Sequence, residues 1–165
     1  WLPLSIAVFD CEEADIDFHA RYSCTSKEYI YKIWNTEVRN PFLDGYALHY
    51  RYKLDEDMLN SAAQAYVGTH DFTSFCTLDS REKGDMTRTV KAFSVTREGN
   101  LVTMKVEADG FLYNMVRIMV GTLLRIQQGK IPVDGIAGII EKKDRKFAGP
   151  TAQPCGLYLN RVNYD

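Results

Sequence analysis

The run Asp109-Gly110-Phe111-Leu112-Tyr113-Asn114-Met115-Val116-Arg117-Ile118-Met119-Val120-Gly121-Thr122-Leu123-Leu124 decides how the rest of the chain is read. Asp109-Gly110 is a turn signal that can also precede a helix. After it, Leu112, Met115, Val116, Met119, Leu123 and Ile126 recur at three- and four-residue spacing, the period of a helix. Ile118, Val120 and Leu124 fill much of the opposite side, so the helix is expected to be covered nearly all round. Arg117 sits in its middle. A guanidinium cannot give up its proton, so burying one demands a carboxylate, a phosphate or several carbonyl oxygens. No acid lies one turn either side of it. Its partner is therefore another part of the fold, another part of a longer parent chain, or a ligand. An ordinary buried ion pair is the commonest of these outcomes.

On the N-terminal side, Thr87–Arg97 and Leu101–Ala108 read as a hairpin around Glu98-Gly99-Asn100. Val102, Met104, Val106 and Ala108 alternate with polar positions, as in a sheet buried on one face. Ser80–Met86 is polar and charged and reads as a mobile loop. Asp55-Glu56-Asp57 opens a helix whose apolar face is Met58, Leu59, Ala62, Ala63 and Tyr66, closed by Gly68. Tyr46–Tyr52 and Phe18–Trp34 are strand candidates, the latter bent near Thr25-Ser26-Lys27, with Tyr29, Tyr31 and Ile33 on one face. Leu4–Phe9 reads as a short strand and Asp10–Asp17 as a surface loop. On the C-terminal side, Pro132-Val133-Asp134 starts a short helix, Phe147–Gly156 reads as an ordered loop, and Leu157–Tyr164 as a last strand. The expected fold is a single α+β domain over residues 1–165, a mainly antiparallel sheet with helices packed on one face.

The 165 residues suffice for one domain with a proper core. No apolar run is long enough to cross a bilayer, so no membrane partner is expected. The chain opens on Trp1 rather than Met, which suggests a piece of a longer protein. Cys11, Cys24, Cys76 and Cys155 are widely spaced, fitting neither a zinc pattern nor a disulfide framework; a reducing cytoplasm is the simpler setting. The net charge of −2 is unevenly spread. Five acids and no bases occupy the first twenty residues, which leaves 17 acids against 20 bases, a balance of +3, in the remainder. Such a body can carry a local phosphate-binding face, or simply an evenly solvated surface.

Few residues invite chemistry by type alone. His70, Asp71 and Cys76 are close in sequence, but nothing around them marks an activated thiol. His19, His49 and His70 are isolated, so no metal site is expected. No phosphate-loop or dinucleotide motif occurs, and no cofactor is expected. Arg21, Tyr22, Lys27, Tyr29, Tyr31 and Lys32 mix bases with aromatics in one strand region. That combination can stack unpaired RNA bases and hold phosphates, although strand tyrosines more often serve packing.

Several runs together resemble one family. Phe18-His19-Ala20-Arg21-Tyr22-Ser23, Lys27-Glu28-Tyr29-Ile30-Tyr31, Gly68-Thr69-His70-Asp71-Phe72-Thr73-Ser74-Phe75 and Phe111 through Gly121 are similar to stretches of the tRNA pseudouridine synthase A family. So are Asp144-Arg145, Ala148-Gly149-Pro150-Thr151-Ala152 and Gly156-Leu157-Tyr158-Leu159. They fall in the family's order and cover nearly the whole chain. Ser5 stands where the family more often has Asp, and Gln153-Pro154-Cys155 departs from its Ala/Pro pattern. The Arg-Thr-Asp motif that carries the family's nucleophilic aspartate does not occur.

The resemblance therefore implies the C-terminal half of an enzyme that isomerises uridine to pseudouridine in the anticodon arm of tRNA, without a cofactor. The fragment alone is expected to be inactive. Its implied partners are tRNA, the missing N-terminal domain and, in the intact enzyme, a second copy in a homodimer. Arg117 would pair with the missing aspartate, and Tyr29 would stack on the flipped base and serve proton transfer at the base carbon. Leu157 and Leu159 would wall the uracil pocket. Arg21, Arg88 and the Lys142–Lys146 patch are candidates for phosphate contacts. The competing reading is a non-catalytic RNA-binding or dimerisation domain.

Overall fold

Alternating apolar residues in Cys24–Trp34 build the central strand, β1, of a computed structural model that describes residues 1–77 and 84–164. In chain order there follow β2 (Leu48–His49), helix α1 (Glu56–Ala63), β3 (Gly68–Asp71), β4 (Thr87–Glu98) and β5 (Leu101–Ala108). Helices α2 (Met115–Gln127) and α3 (Gly135–Lys142) and strand β6 (Leu157–Tyr164) complete the fold. The sheet runs β2-β1-β5-β4-β3, with β6 also paired to β1. All pairings are antiparallel except the short parallel β1–β2 contact.

Register explains the core. Tyr29 lies opposite Val106, Tyr31 opposite Met104 and Ile33 opposite Val102. The next strand adds Phe93 beside Val106 and Val95 beside Met104. Side chains alternate along a strand, so these rows all face one side. They join the buried residues of all three helices in a single apolar cluster. The α+β reading, with helices on one face of a mainly antiparallel sheet, matches this architecture. Helix α1 starts where Asp55 Oδ1 accepts the Met58 N–H at 2.9 Å, with Glu56 and Asp57 at the positive end of the helix. Tyr66 fills the space beneath it, stacked on Phe93 and edge-on to Phe75.

Two strand expectations fail. Leu4–Phe9 forms no strand, and residues 1–23 are exposed throughout. Its apolar alternation is real, but a strand exists only where a neighbour supplies hydrogen bonds, and none of the described strands pairs with it. The Phe18–Trp34 candidate likewise begins to pair only at Cys24. Of Tyr46–Tyr52, two residues pair with β1. Of the charged run Ser80–Met86, residues 80–83 lie outside the described residues.

Candidate active site

Helix α2 begins at an unusual junction. Asn114, its N-cap residue, sits in the left-handed region at φ 62°, ψ 7°, a conformation that Asn tolerates better than most residues with a Cβ. An N-cap side chain ordinarily accepts a backbone N–H of the first turn. Here Asn114 Oδ1 instead accepts from Arg117 Nη1 at 2.9 Å. Arg117 Nε donates to Ala152 O at 2.7 Å, and the Ala152 N–H donates back to Arg117 O at 3.1 Å. Among the described residues, no carboxylate lies within ion-pair reach of this guanidinium. Arg117 is half-buried, less enclosed than helical periodicity alone suggests.

Ala152 is placed by a close contact between backbones. A Cβ on Gly121 would fall 1.7 Å from Pro150 O, and one on Gly149 would fall 2.5 Å from Gly121 O. Only glycine at both positions lets the 148–153 segment lie directly on α2. Thr122 Oγ1 secures it further by accepting the Gly149 N–H at 2.8 Å. The segment then turns through Pro154–Gly156 into β6. There Tyr31 donates its hydroxyl to Gln153 O at 2.6 Å. Burial pushes the Tyr31 hydroxyl well up, and the nearby Arg117 charge opposes that shift only in part.

These elements enclose a cavity of about 380 Å³ lined by Tyr29, Phe111, Asn114, Arg117, Pro154 and Leu157, among others. It is within the size range of small-molecule sites. Tyr29 meets Phe111 edge-on, with centroids 5.1 Å apart. Burial raises the Tyr29 hydroxyl above its ordinary value, so the group is a neutral phenol at physiological pH. One wall is thus aromatic and one aliphatic, and the lining includes a cation that no carboxylate among the described residues compensates. That cation sits in the first turn of α2, where the helix dipole is also positive. The arrangement can receive an anion next to a flat ring.

A family model described as tRNA pseudouridine synthase matches residues 62–165. The chain belongs to that family. The tRNA pseudouridine synthase A of Geobacillus sp. is 46% identical over 164 residues, 99% of this chain and 66% of the relative. The protein of the same name from Geobacillus kaustophilus is 44% identical over 164 residues, 99% and 63%. That from Shewanella frigidimarina is 44% identical over 163 residues, 99% and 62%. The chain therefore spans somewhat less than two thirds of the length of these relatives.

The residues expected of a pseudouridine synthase site divide in two. Tyr29, Arg117 and Leu157 come together in the cavity. Leu159 is half-exposed and does not line it, but it pairs directly with Tyr29 across the β1–β6 ladder. Arg88 lies against Gly110, beside the cavity residue Phe111, and its Nη1 donates to Asp85 O and Thr87 O. Arg21 is exposed on the N-terminal segment with its guanidinium over the Tyr22 ring. Within the Lys142–Lys146 patch, Lys143 is paired with Asp71 at 2.9 Å and Arg145 reaches Ala148 O and Thr151. His70, Asp71 and Cys76 form no unit: His70 bonds Val67 O, Asp71 serves Thr73 and Lys143, and Cys76 is buried.

Sequence reasoning missed Asn114 and Ala152. A search for carboxylates passes over an amide three residues away, and nothing local marks a carbonyl 35 positions downstream. The usable signal was the Asn at the helix start, a residue type that accepts left-handed backbone.

Proposed function

We propose that this chain supplies one half of the active site of an enzyme that isomerises uridine to pseudouridine in the anticodon arm of tRNA. The observation that carries the reading is Arg117: a cation held in place by two neutral oxygens, without a carboxylate among the described residues, in a cavity shared with Tyr29 and Leu157. An aspartate from the N-terminal part of the intact protein would complete it. Beside this guanidinium a carboxylate is held ionised and aimed, which suits a nucleophile. The uracil, freed from its sugar, rotated and rejoined through carbon, would lie against the Tyr29 ring. Leu157 and, at the rim, Leu159 would exclude water. The neutral Tyr29 hydroxyl is positioned to take part in proton transfer at the base carbon. Arg88 and Arg21 would meet phosphates outside the pocket. None of these steps calls for a cofactor.

No helix among the described residues is long and apolar enough to cross a membrane. An enzyme of this kind acting on tRNA would work in the cytoplasm. Exposed Trp1, Leu4, Phe9 and Ile16 support a covering partner, the N-terminal domain or the second subunit of a homodimer.

The test compares this chain and the intact protein on unmodified tRNA. Pseudouridine is expected from the intact protein and none from the chain alone. Tyr29→Ala in the intact protein is expected to cut turnover far more than stability. Pseudouridine made by the chain alone, or equal loss of turnover and stability in Tyr29→Ala, would sink the assignment of roles.

A further inference from the structure

A second cavity, of about 600 Å³, is larger than the one holding Tyr29 and Arg117. It lies on the other side of the Gln153-Pro154-Cys155 turn, between that turn and the 39–49 segment. Pro154 lines the base pocket, whereas Gln153 and Cys155 line this second cavity. A further cavity shares Leu48 and Gln153 with it and runs along α2. The next shares Arg125, Lys130 and Pro150, and the last shares Lys130, Ile131 and Phe147 and reaches α3. Shared wall residues set these four cavities side by side in a row along α2 and α3, a discontinuous groove.

The groove has a definite chemistry. Its cations are Arg39, Arg125, Lys130 and Lys142, and Asp44 is the one carboxylate among its described lining residues. None of the four cations is ion-paired among the described residues. Elsewhere the fold pairs its cations readily, as Lys143 with Asp71 and Arg97 with Glu56 show. Aromatic rings punctuate the same track: Trp34 at one end, Tyr50 midway and Phe147 at the other. Lys142 lies over the Phe147 ring at 4.0 Å, so the pattern rests on Arg39, Arg125 and Lys130 set among Trp34 and Tyr50. Such cations beside rings favour a polyanion that carries flat bases over an acidic peptide, which offers no rings to stack.

We propose that this groove holds the sugar–phosphate backbone of the tRNA strand that runs on from the target nucleotide, over the Gln153–Cys155 turn. The proposal rests on the functional reading above and adds a second site to it. Arg125 and Lys130 bind phosphates at the centre of the track, and Arg39 binds one at its near end.

The test is made in the intact protein with whole tRNA. Arg125→Gln combined with Lys130→Gln should raise Kd about tenfold near physiological salt. The same pair should flatten the plot of log Kd against log salt by about 1.5, because two phosphates are then left to their counterions. Arg39→Gln should flatten it by about half as much. The loss should fall on KM for tRNA far more than on kcat, because the groove touches no reacting atom. Lys91→Gln, on an exposed stretch of β4 away from the groove, should alter neither quantity. Unchanged Kd and salt slope in both groove variants, with pseudouridine formation intact, would overturn the groove while leaving the functional reading standing. Loss of binding to polyglutamate with tRNA binding untouched would overturn it in favour of an acidic peptide. An unsubstituted intact protein that neither binds tRNA nor forms pseudouridine would overturn both readings together.

Discussion

At the Arg97 corner, the guanidinium meets Glu56 Oε2 at 2.9 Å, Asn35 Oδ1 at 3.0 Å and Leu54 O at 2.9 Å. At the Arg117 corner, it meets Asn114 Oδ1 at 2.9 Å and Ala152 O at 2.7 Å, with no carboxylate among the described residues. Both corners hold an arginine by an amide and a backbone carbonyl. They differ by one carboxylate. With it, the charge is neutralised inside the fold and the arginine ties β4 to the start of α1. Without it, the same anchoring leaves a fixed positive charge facing a cavity. Anchoring and neutralising are separate jobs, and among the described residues the Arg117 corner does only the first.

The largest expected effect comes from removing the unneutralised charge. In the intact protein, Arg117→Ala should lower turnover by about a thousandfold, or about 4 kcal/mol of transition-state stabilisation. Its stability to urea should fall by only about 1 kcal/mol, the worth of its two hydrogen bonds. Arg97→Ala should do the reverse: about 1–2 kcal/mol of stability lost, because its hydrogen bonds to Asn35 Oδ1 and Leu54 O go together with the part-exposed Glu56 pair, and turnover within about twofold. Matched losses of rate and stability in both variants would erase the distinction between the corners.

Next comes the clamp that makes the Arg117 corner rigid. Gly121→Ala places a methyl 1.7 Å from Pro150 O, and backbone cannot rotate away as a side chain can. The variant should lose about 3 kcal/mol by chemical denaturation, with turnover falling as Ala152 O leaves Arg117. Wild-type stability in Gly121→Ala would show that the 148–153 segment is not seated on α2 as described.

Parts of this were legible in the chain and parts were not. Period alone located α2, and alternation alone put Tyr29, Tyr31 and Ile33 on one face, because the spacing of a strand is local; that this face is the core side is set by the register with β5. The hairpin of β4 and β5 was legible for the same reason, with Gly99 marking its turn. Leu4–Phe9 shows the limit. Its pattern is that of a strand, yet pairing needs a neighbour, and spacing within six residues carries no information about one. The partners of Arg117 were hidden for a related reason. Ala152 contributes a backbone oxygen, which every residue has, so its identity could not announce the role. Gly121 and Gly149 were visible as glycines, but only their mutual approach explains why neither can carry a Cβ.

The comparison can also be sharpened by making one corner imitate the other. Asn114→Asp places a carboxylate where the amide oxygen now meets Arg117 at 2.9 Å. The charge-assisted pair should add up to about 1 kcal/mol of stability, since the site is half-open to water. Turnover should drop about tenfold, because the cation then has an anion of its own. A rate equal to that of the parent protein would mean that Arg117 does not act through its free charge.

The smallest effect lies back at the Arg97 corner and is read by pH. Glu56's own backbone N–H and then the Arg97 side chain hold its carboxyl below the ordinary value of 4.5. A carboxyl lowered in the folded state adds stability above its unfolded value and loses it as pH falls through the folded value. The parent protein should therefore weaken on acidification below about pH 4.5 in part through Glu56. Glu56→Gln should be less stable by under about 1 kcal/mol at neutral pH, given the exposure of the pair, and should show a shallower acid slope. Denaturant midpoints between pH 3 and 7 measure both (about the range over which Glu titrates). Identical acid slopes would mean that Glu56 does not neutralise Arg97, and the extra carboxylate could no longer explain why the two arginines behave differently.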